Sequence, residues 1–190
     1  MIDDLFILAS ASPRRAELLR AAGFEFQVVV ANVDESVLPG EAPEGYARRV
    51  ADAKADAVAR QRHGRTVLAA DTVVVVDAHI LGKPADAEDA RRMLRLLGGR
   101  AHDVLTAVSL VPSAGPRVGV VERSVVVFAP LTENEITWYV DTGEPLDKAG
   151  AYAIQGLASR FVTRIEGSYS NVVGLPIAPV YQMLRQHVRL

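Results

Sequence analysis

The chain has 190 residues, enough for one sizeable domain and marginal for two, and it is 49% hydrophobic and 23% charged. Its net charge of -2 gives no basic footprint for a nucleic-acid polymer, so any anion site must be local. The absence of cysteine excludes disulfides and thiol chemistry. With no bilayer-spanning apolar stretch and no recognisable signal peptide, we expect a globular, cytoplasmic protein that does not act at a membrane.

Strands and helices are interspersed along the predicted chain. Apolar and β-branched runs predict strands over 5–9, 24–30, 66–76, 102–111, 118–128 and 160–165. Helical spacing and end signals predict helices over 13–22, 44–62, 87–97, 132–140 and 176–187. Residues 77–79 are predicted as a turn, 142–159 as irregular, and the PSAGP turn predicts an antiparallel hairpin. We expect one α/β domain over residues 1–190, with a mixed twisted sheet flanked by helices and two lobes.

Two arginines stand at the start of the first predicted helix. Ser12 is the expected N-cap and Pro13 the first helical residue, followed by Arg14 and Arg15. The start of a helix carries partial positive charge and favours acidic side chains. Cations are tolerated there if a phosphate neutralises them and the free backbone N–H groups help to bind it. The sequence therefore indicates a phosphate site at this helix end.

Asp71 interrupts the apolar strand LAADTVVVV. An ionised carboxylate in such a strand is costly unless it is paired, bound to a metal or placed at the edge of a cleft; a solvated strand end is the alternative. The adjacent Thr72 offers a hydroxyl to a ligand or to the edge of the sheet. Asp34 and Glu35 lie in the polar loop 31–43 and, taken alone, would be solvated. Together with Asp71 they would offer hard oxygen ligands to Mg²⁺ or Mn²⁺.

Only three of the 21 basic residues are lysines. Lys54 lies on the second predicted helix, Lys83 in the LGKP segment and Lys148 in DKAGAY. Each one alone would most often be a surface lysine. Together with Arg14 and Arg15 they suggest cations that converge on a polyanion.

One further residue could contact a nucleotide base, and several common nucleotide-binding, zinc-binding and hydrolase motifs are absent from the sequence. Gln155, in AYAIQG, could read a base edge because its amide both donates and accepts, although ordinary loop hydrogen bonding would also explain it. The sequence has no P-loop motif, no G-x-G-x-x-G after a strand, no zinc-ligand spacing and no G-x-S-x-G elbow.

Seven segments resemble, in order, the motifs of the Maf family. They are SASPRRAELL, RVADAKADA, AADTVVV, LGKP, GGRAHDVLTAV, EPLDKAGAYAIQG and IEGSYSNVVGLP. The resemblance covers about residues 5–184, nearly the whole chain. Maf proteins are nucleotide pyrophosphatases related to the inosine-triphosphate pyrophosphatase fold.

The resemblance implies a specific reaction and a set of site residues. A nucleoside triphosphate would be hydrolysed to the monophosphate and pyrophosphate with a divalent cation, Mg²⁺ or Mn²⁺. Asp71 matches the family's proton acceptor, and either this role, a metal-ligand role shared with Glu35, or both remain open for it. The residues that match the polar cleft of the family are Ser10, Arg14, Arg15, Glu35, Lys54 and Lys83.

Three positions resemble the branch of the family that acts on dTTP and UTP. Arg14, Thr72 and Gln155 match this branch, whereas the branch acting on 7-methyl-GTP carries Trp where Arg14 stands. We therefore expect these residues to set base specificity in a house-cleaning enzyme. The same chemistry on another or modified base, and a non-catalytic nucleotide-binding regulator of cell division, are the alternatives. A homodimer stays open as the assembly.

Overall fold

One mixed sheet forms the centre of the molecule. The computed structural model describes residues 5–188. Its strands are β1 (Phe6–Leu8), β2 (Phe26–Val28), β3 (Val67–Val76), β4 (His79–Leu81), β5 (Ala101–Val111), β6 (Val118–Phe128) and β7 (Val162–Glu166). Their order is β2-β1-β3-β5-β6-β7, and β4 pairs with the end of β3. β1 is parallel to β2 and β3, and the other pairs are antiparallel, which confirms the predicted mixed sheet.

Helices cover both faces of this sheet. They are α1 (Pro13–Ala21), α2 (Pro43–Ala59), α3 (Ala87–Leu97), α4 (Glu133–Asp141), α5 (Tyr169–Val173) and α6 (Ile177–Leu184). The predicted irregular region contains short 3₁₀ helices at Glu144–Asp147, Ala149–Ala151 and Leu157–Phe161. No helix within residues 5–188 has the length and apolar character needed to cross a membrane.

The alternation of β3 determines what each face of the sheet buries. Val73 and Val75 pack against α2, whereas Leu68 and Val74 face the opposite side of the sheet. Asp71 has the same parity as Val73 and therefore lies beneath α2. A charged residue is thus placed in the contact between this strand and this helix.

On the face opposite α2, the apolar core divides into two clusters. One packs Leu19 of α1 and Leu184 of α6 against β1 and β3. The other packs Leu94 of α3 and Tyr139 of α4 around Phe128. These clusters correspond to the two lobes expected from the sequence.

Beyond shifts of a few residues at element ends, two regions differ from the sequence prediction. Asp77 and Ala78 both adopt positive φ, so the predicted turn is a tight hairpin that returns the chain as β4, a strand that the sequence analysis missed. Asp-Ala is an uncommon pair for such a turn, which favours Asn-Gly. The predicted helix 176–187 is shorter, and α5 precedes it because the Ser168 hydroxyl caps the Asn171 amide.

Candidate active site

A cleft opens where β3 lacks a neighbouring strand. On one side β3 pairs with β1 at residues 67–68 and with β4 at residues 74–76, and no strand within residues 5–188 fills the gap between them. The cleft at this gap has a volume of about 520 Å³. Both faces of β3 are accessible there, so Asp71 and Thr72 line the same cleft although they point in opposite directions.

The cleft gathers every residue predicted from the family resemblance. Its lining includes Ser10, Arg14, Arg15, Glu35, Lys54, Asp71, Thr72, Lys83 and Gln155. Asp34 does not join them, because its exposed carboxylate accepts a hydrogen bond from the Ser36 amide (2.8 Å) and orders the loop instead. Of the two acidic residues of this loop, the structure therefore brings Glu35 and not Asp34 to the cleft.

A buried lysine links the two acidic residues of the cleft. Lys54 Nζ lies 2.8 Å from Asp71 Oδ1 and 2.9 Å from Glu35 Oε1. Lys54 and Asp71 are buried, whereas the Glu35 side chain is about half exposed. Burial raises the pKa of Asp71, and the positive charges of Lys54 and Arg15 oppose that shift. Asp71 is thus a desolvated carboxyl with a fixed cationic partner.

Arg15 crosses the cleft rather than lying free at the helix start. Its Nε donates to the Gly174 carbonyl oxygen (2.8 Å), and its two terminal nitrogens donate to Ser10 Oγ (3.3 Å) and Thr72 Oγ1 (3.0 Å). Burial lowers the pKa of Arg15, with Asp71 opposing the shift. Three of its five N–H groups are therefore engaged, and two remain for a ligand. The arginine anchors the cleft as well as charging it, which the sequence analysis did not predict.

The Thr72 hydroxyl takes part in a network of protein groups. It accepts from Arg15, lies 2.9 Å from Thr106 Oγ1 and lies 3.3 Å from the Gly174 carbonyl oxygen. Thr106 Oγ1 in turn donates to the Asn171 carbonyl oxygen (3.2 Å). Of the two roles expected for this hydroxyl, the structure shows the one at the edge of the sheet.

Further cations surround the mouth of the cleft. Lys83 is exposed and forms no ion pair within residues 5–188. Lys148 pairs with Asp147, and Arg14 lies 3.9 Å from the same carboxylate. The lining of the cleft therefore carries more cationic than acidic side chains, and the excess of positive charge lies toward the mouth, where a polyanionic ligand would meet it.

Tyr46, on α2, is a residue of the cleft that the sequence analysis did not single out. Its hydroxyl donates to the Glu35 carbonyl oxygen (2.8 Å) and holds the acidic loop against α2. Burial and the charges of Asp71 and Glu35 raise the pKa of Tyr46 to about 12, so the hydroxyl keeps its proton. The sequence did carry a signal for this role: Tyr46 lies on the apolar side of helix α2, and a buried tyrosine hydroxyl needs a hydrogen-bond partner.

The acidic residues of the cleft fit a divalent cation shared with a phosphate ligand. Residues 5–188 contain no cluster of three acidic or histidine side chains that could bind a metal by themselves. Mg²⁺ in nucleotide sites is bound by one or two carboxylates together with substrate phosphates and water. Glu35 and Asp71 supply two such carboxylates, and both of them contact the ammonium group of Lys54.

Comparisons with known proteins agree with the family resemblance seen in the sequence and with the fold. The family model described as "Maf-like protein" matches residues 5–187. A relative from Koribacter versatilis, named dTTP/UTP pyrophosphatase, is 55% identical over 182 residues, covering 95% of this chain and 93% of its own. A relative of the same name from an Anaeromyxobacter species is 56% identical over 185 residues, covering 95% and 88%. The solved structure of the Staphylococcus aureus Ham1 protein shares the fold, with a TM-score of 0.51, 16% identity and coverage of 95% and 98%. This chain belongs to the family of Maf-like proteins.

Proposed function

We propose that this protein hydrolyses nucleoside triphosphates, with dTTP and UTP as substrates, to the monophosphate and pyrophosphate in a house-cleaning role. The observation that carries the proposal is the buried Lys54 that joins Asp71 to Glu35 on the floor of a cationic cleft. Relatives at about 55% identity that bear the name dTTP/UTP pyrophosphatase support the choice of substrate.

The cations of the cleft would bind the triphosphate. Arg15 has two N–H groups left for phosphate oxygens, and Lys83 and Arg14 add charge nearer the mouth. Ser12 forms no side-chain cap on α1, so the first amides of this helix can donate to the same anion. These groups would stabilise the negative charge that develops as pyrophosphate leaves.

Asp71 would act as the proton acceptor. A water molecule attacks, the anhydride bond between the nucleoside monophosphate and the pyrophosphate breaks, and the Asp71 carboxylate takes a proton from the attacking water. Lys54 holds Oδ1 of this carboxylate and orients it. Burial raises the pKa of Asp71, which makes it a better base than an exposed aspartate.

A divalent cation, Mg²⁺ or Mn²⁺, would be held by Glu35 and Asp71. When bound, it would neutralise phosphate charge and orient the triphosphate for in-line attack. Tyr46 contributes by keeping the Glu35 loop beside Lys54.

Base selection would depend on Gln155, with Arg14 and Thr72 at the neighbouring wall. Gln155 is exposed within the cleft, so its amide is available to donate to the 4-keto group of uracil or thymine. Thr72 would act by positioning Arg15 and Gly174, since its hydroxyl is engaged by protein groups.

A panel of nucleoside triphosphates assayed for pyrophosphate release with Mg²⁺ or Mn²⁺ tests the proposal. We expect turnover of dTTP and UTP that requires the cation. A protein that binds these nucleotides without releasing pyrophosphate would instead be a nucleotide-binding regulator. A preference for 7-methyl-GTP would support the proposed pyrophosphatase reaction and contradict the proposed substrates.

A further inference from the structure

Gln155 lies in a tight turn at the wall of the cleft. The turn is closed by a hydrogen bond from the Gly156 amide to the Ala153 carbonyl oxygen, at 3.0 Å. Gln155 occupies the third position of this turn and lines the cleft, and its side chain is exposed. The direction of its amide therefore depends on how firmly the turn itself is held.

Two side chains, one from α4 and one from the segment that follows it, hold the turn at both ends. The Tyr139 hydroxyl accepts a hydrogen bond from the Ala153 amide at 3.3 Å. The Glu144 carboxylate accepts one from the Leu157 amide at 3.1 Å through Oε2. These amides lie two residues before and two residues after Gln155, so the turn is held symmetrically about its specificity residue.

The two supporting side chains also bind each other. The Tyr139 hydroxyl donates to Glu144 Oε1 at 2.8 Å, and burial raises the pKa of Tyr139, so this donor stays protonated. The Tyr139 ring is fully buried and packs edge-to-face on Phe161 at 5.6 Å. One continuous chain of hydrogen bonds thus runs from a rigid core ring to both ends of the turn, and we name Tyr139 and Glu144 the turn brace.

Gly156 allows the brace to approach the turn. A Cβ atom built at Gly156 would lie 2.4 Å from both carboxylate oxygens of Glu144. Any larger residue would displace that carboxylate from its two donors. The glycine of the IQG motif is therefore explained by close approach of a side chain, since its own φ of -105° is one that other residues adopt.

We propose that Tyr139 and Glu144 are positioning residues for base selection, holding the turn so that the Gln155 amide faces a fixed point on the base. This inference rests on the proposed function. A held turn fixes the point from which the Gln155 side chain extends and so limits where its amide can reach, which favours one contact with a 4-keto group. A loose turn would let the amide adapt to the 4-amino group of cytosine as well. Discrimination through a hydrogen bond requires this kind of fixed geometry.

The test compares kcat/KM for dTTP with kcat/KM for CTP in four variants and a control. Tyr139→Phe and Glu144→Gln remove bonds of the brace, and Gly156→Ala displaces the carboxylate without removing any donor. Gln155→Ala removes the reading group itself. Glu133→Gln, an exposed residue of α4 that pairs with Arg95, is the matched control for loss of a carboxylate.

We expect each brace variant to reduce the preference for dTTP over CTP about fivefold, a change of the size that one net hydrogen bond contributes. Glu133→Gln should leave the preference unchanged. In the Gln155→Ala background, adding Tyr139→Phe should change the preference less than twofold, since the brace acts through that residue. An unchanged preference in all three brace variants, or an equal loss in the Gln155→Ala background, would overturn the inference.

Hydrogen exchange of the backbone gives a readout that is independent of turnover. We expect the Ala153 and Leu157 amides to exchange faster in Tyr139→Phe and Glu144→Gln than in the parent protein, while the core strands exchange at the parent rate. Unchanged exchange at both amides would contradict the brace. If the parent protein selects dTTP through Gln155 and the brace variants keep that selectivity, only this inference fails. If the parent protein releases no pyrophosphate, the proposed function fails and base selection fails with it.

Discussion

Lys54 Nζ lies 2.8 Å from Asp71 Oδ1 between helix α2 and strand β3, where both residues are less than one-tenth exposed. The ammonium group also binds Glu35, so one cation serves two carboxylates. Removing one partner of a buried ion pair is strongly destabilising, because the other charge is left uncompensated. The stability of the fold therefore depends on both Lys54 and Asp71. The same pairing fixes the orientation of the proposed proton acceptor, so structure and chemistry depend on one contact.

Asp71→Asn should reduce turnover of dTTP on the order of 100-fold or more while the fold persists, because the substitution keeps the shape and removes the basic charge. Lys54 keeps Glu35 as a partner, so its charge stays compensated. Steady-state kinetics and thermal unfolding measure the two effects. Asp56→Asn, which removes a surface carboxylate from the same helix as Lys54, serves as the control. Near-parental turnover in folded Asp71→Asn would contradict the mechanism.

The pH profile of kcat/KM should have an acidic limb set by Asp71. The base form is active, so the rate falls as the pH drops through the Asp71 pKa, which burial places above its ordinary value. Lys54→Met removes the positive charge that opposes this shift. The variant should be less stable because Asp71 loses its buried partner, and in conditions where thermal unfolding shows it to be folded we expect the limb to move to higher pH. Lys83→Met, which removes an exposed cation of the cleft, should lower the rate and leave the limb in place. If the acidic limb of the pH profile does not move in Lys54→Met, a group other than Asp71 causes the titration.

Arg15→Ala and Lys83→Ala should separate structural anchoring from phosphate binding. Both variants lose cleft charge and should lower kcat/KM for dTTP. Only Arg15→Ala should also reduce the free energy of unfolding, by about 1–3 kcal/mol, because it deletes three hydrogen bonds of a buried network. Thermal or denaturant unfolding makes the comparison. Unchanged stability in Arg15→Ala would mean that the network contributes nothing to the fold.

Base preference should follow the 4-keto group. We expect dTTP and UTP to be used with kcat/KM at least about tenfold above that for CTP, a difference of roughly 1.4 kcal/mol. GTP and 7-methyl-GTP should also be poor substrates. Measuring all five nucleotides on one preparation tests this expectation, and a best value for CTP or 7-methyl-GTP would show that the branch assignment is incorrect.

His102 should make the fold sensitive to acid. Burial lowers its pKa to about 4, and its Nε2 lies 2.9 Å from the Tyr152 hydroxyl. The unfolded chain takes up this proton near pH 6.5, whereas the native state resists it until about pH 4. The free energy of unfolding should therefore fall as the pH drops between these values. His102→Gln keeps a partner for Tyr152 and should flatten that dependence relative to the parent protein in denaturant titrations. If the free energy of unfolding depends on pH in the same way in both proteins, His102 is not the cause of the acid sensitivity.

Much of the fold could be predicted from local sequence patterns, whereas most members of the cleft were expected from the family resemblance. The alternation of β3 and the spacing of α2 are periodic and survive in the structure. Asp71 broke the apolar pattern of its strand and was singled out for that reason, because a buried carboxylate needs a partner. That partner, Lys54, was expected only as one of several cations that bind a polyanion, and the pair was not predicted.

The partners of each cleft residue were decided only by the tertiary structure. Arg15 donates from Nε to the Gly174 carbonyl oxygen, 159 residues away in the chain, and a terminal nitrogen of the same guanidinium donates to the Thr72 hydroxyl. The brace of Tyr139 and Glu144 on the turn of Gln155 depends in the same way on the meeting of α4 with the 3₁₀ region. Periodicity reports which face of an element is buried, because burial repeats with the helix or strand. It carries no information on which groups meet across the core, because those distances follow from how the elements pack together.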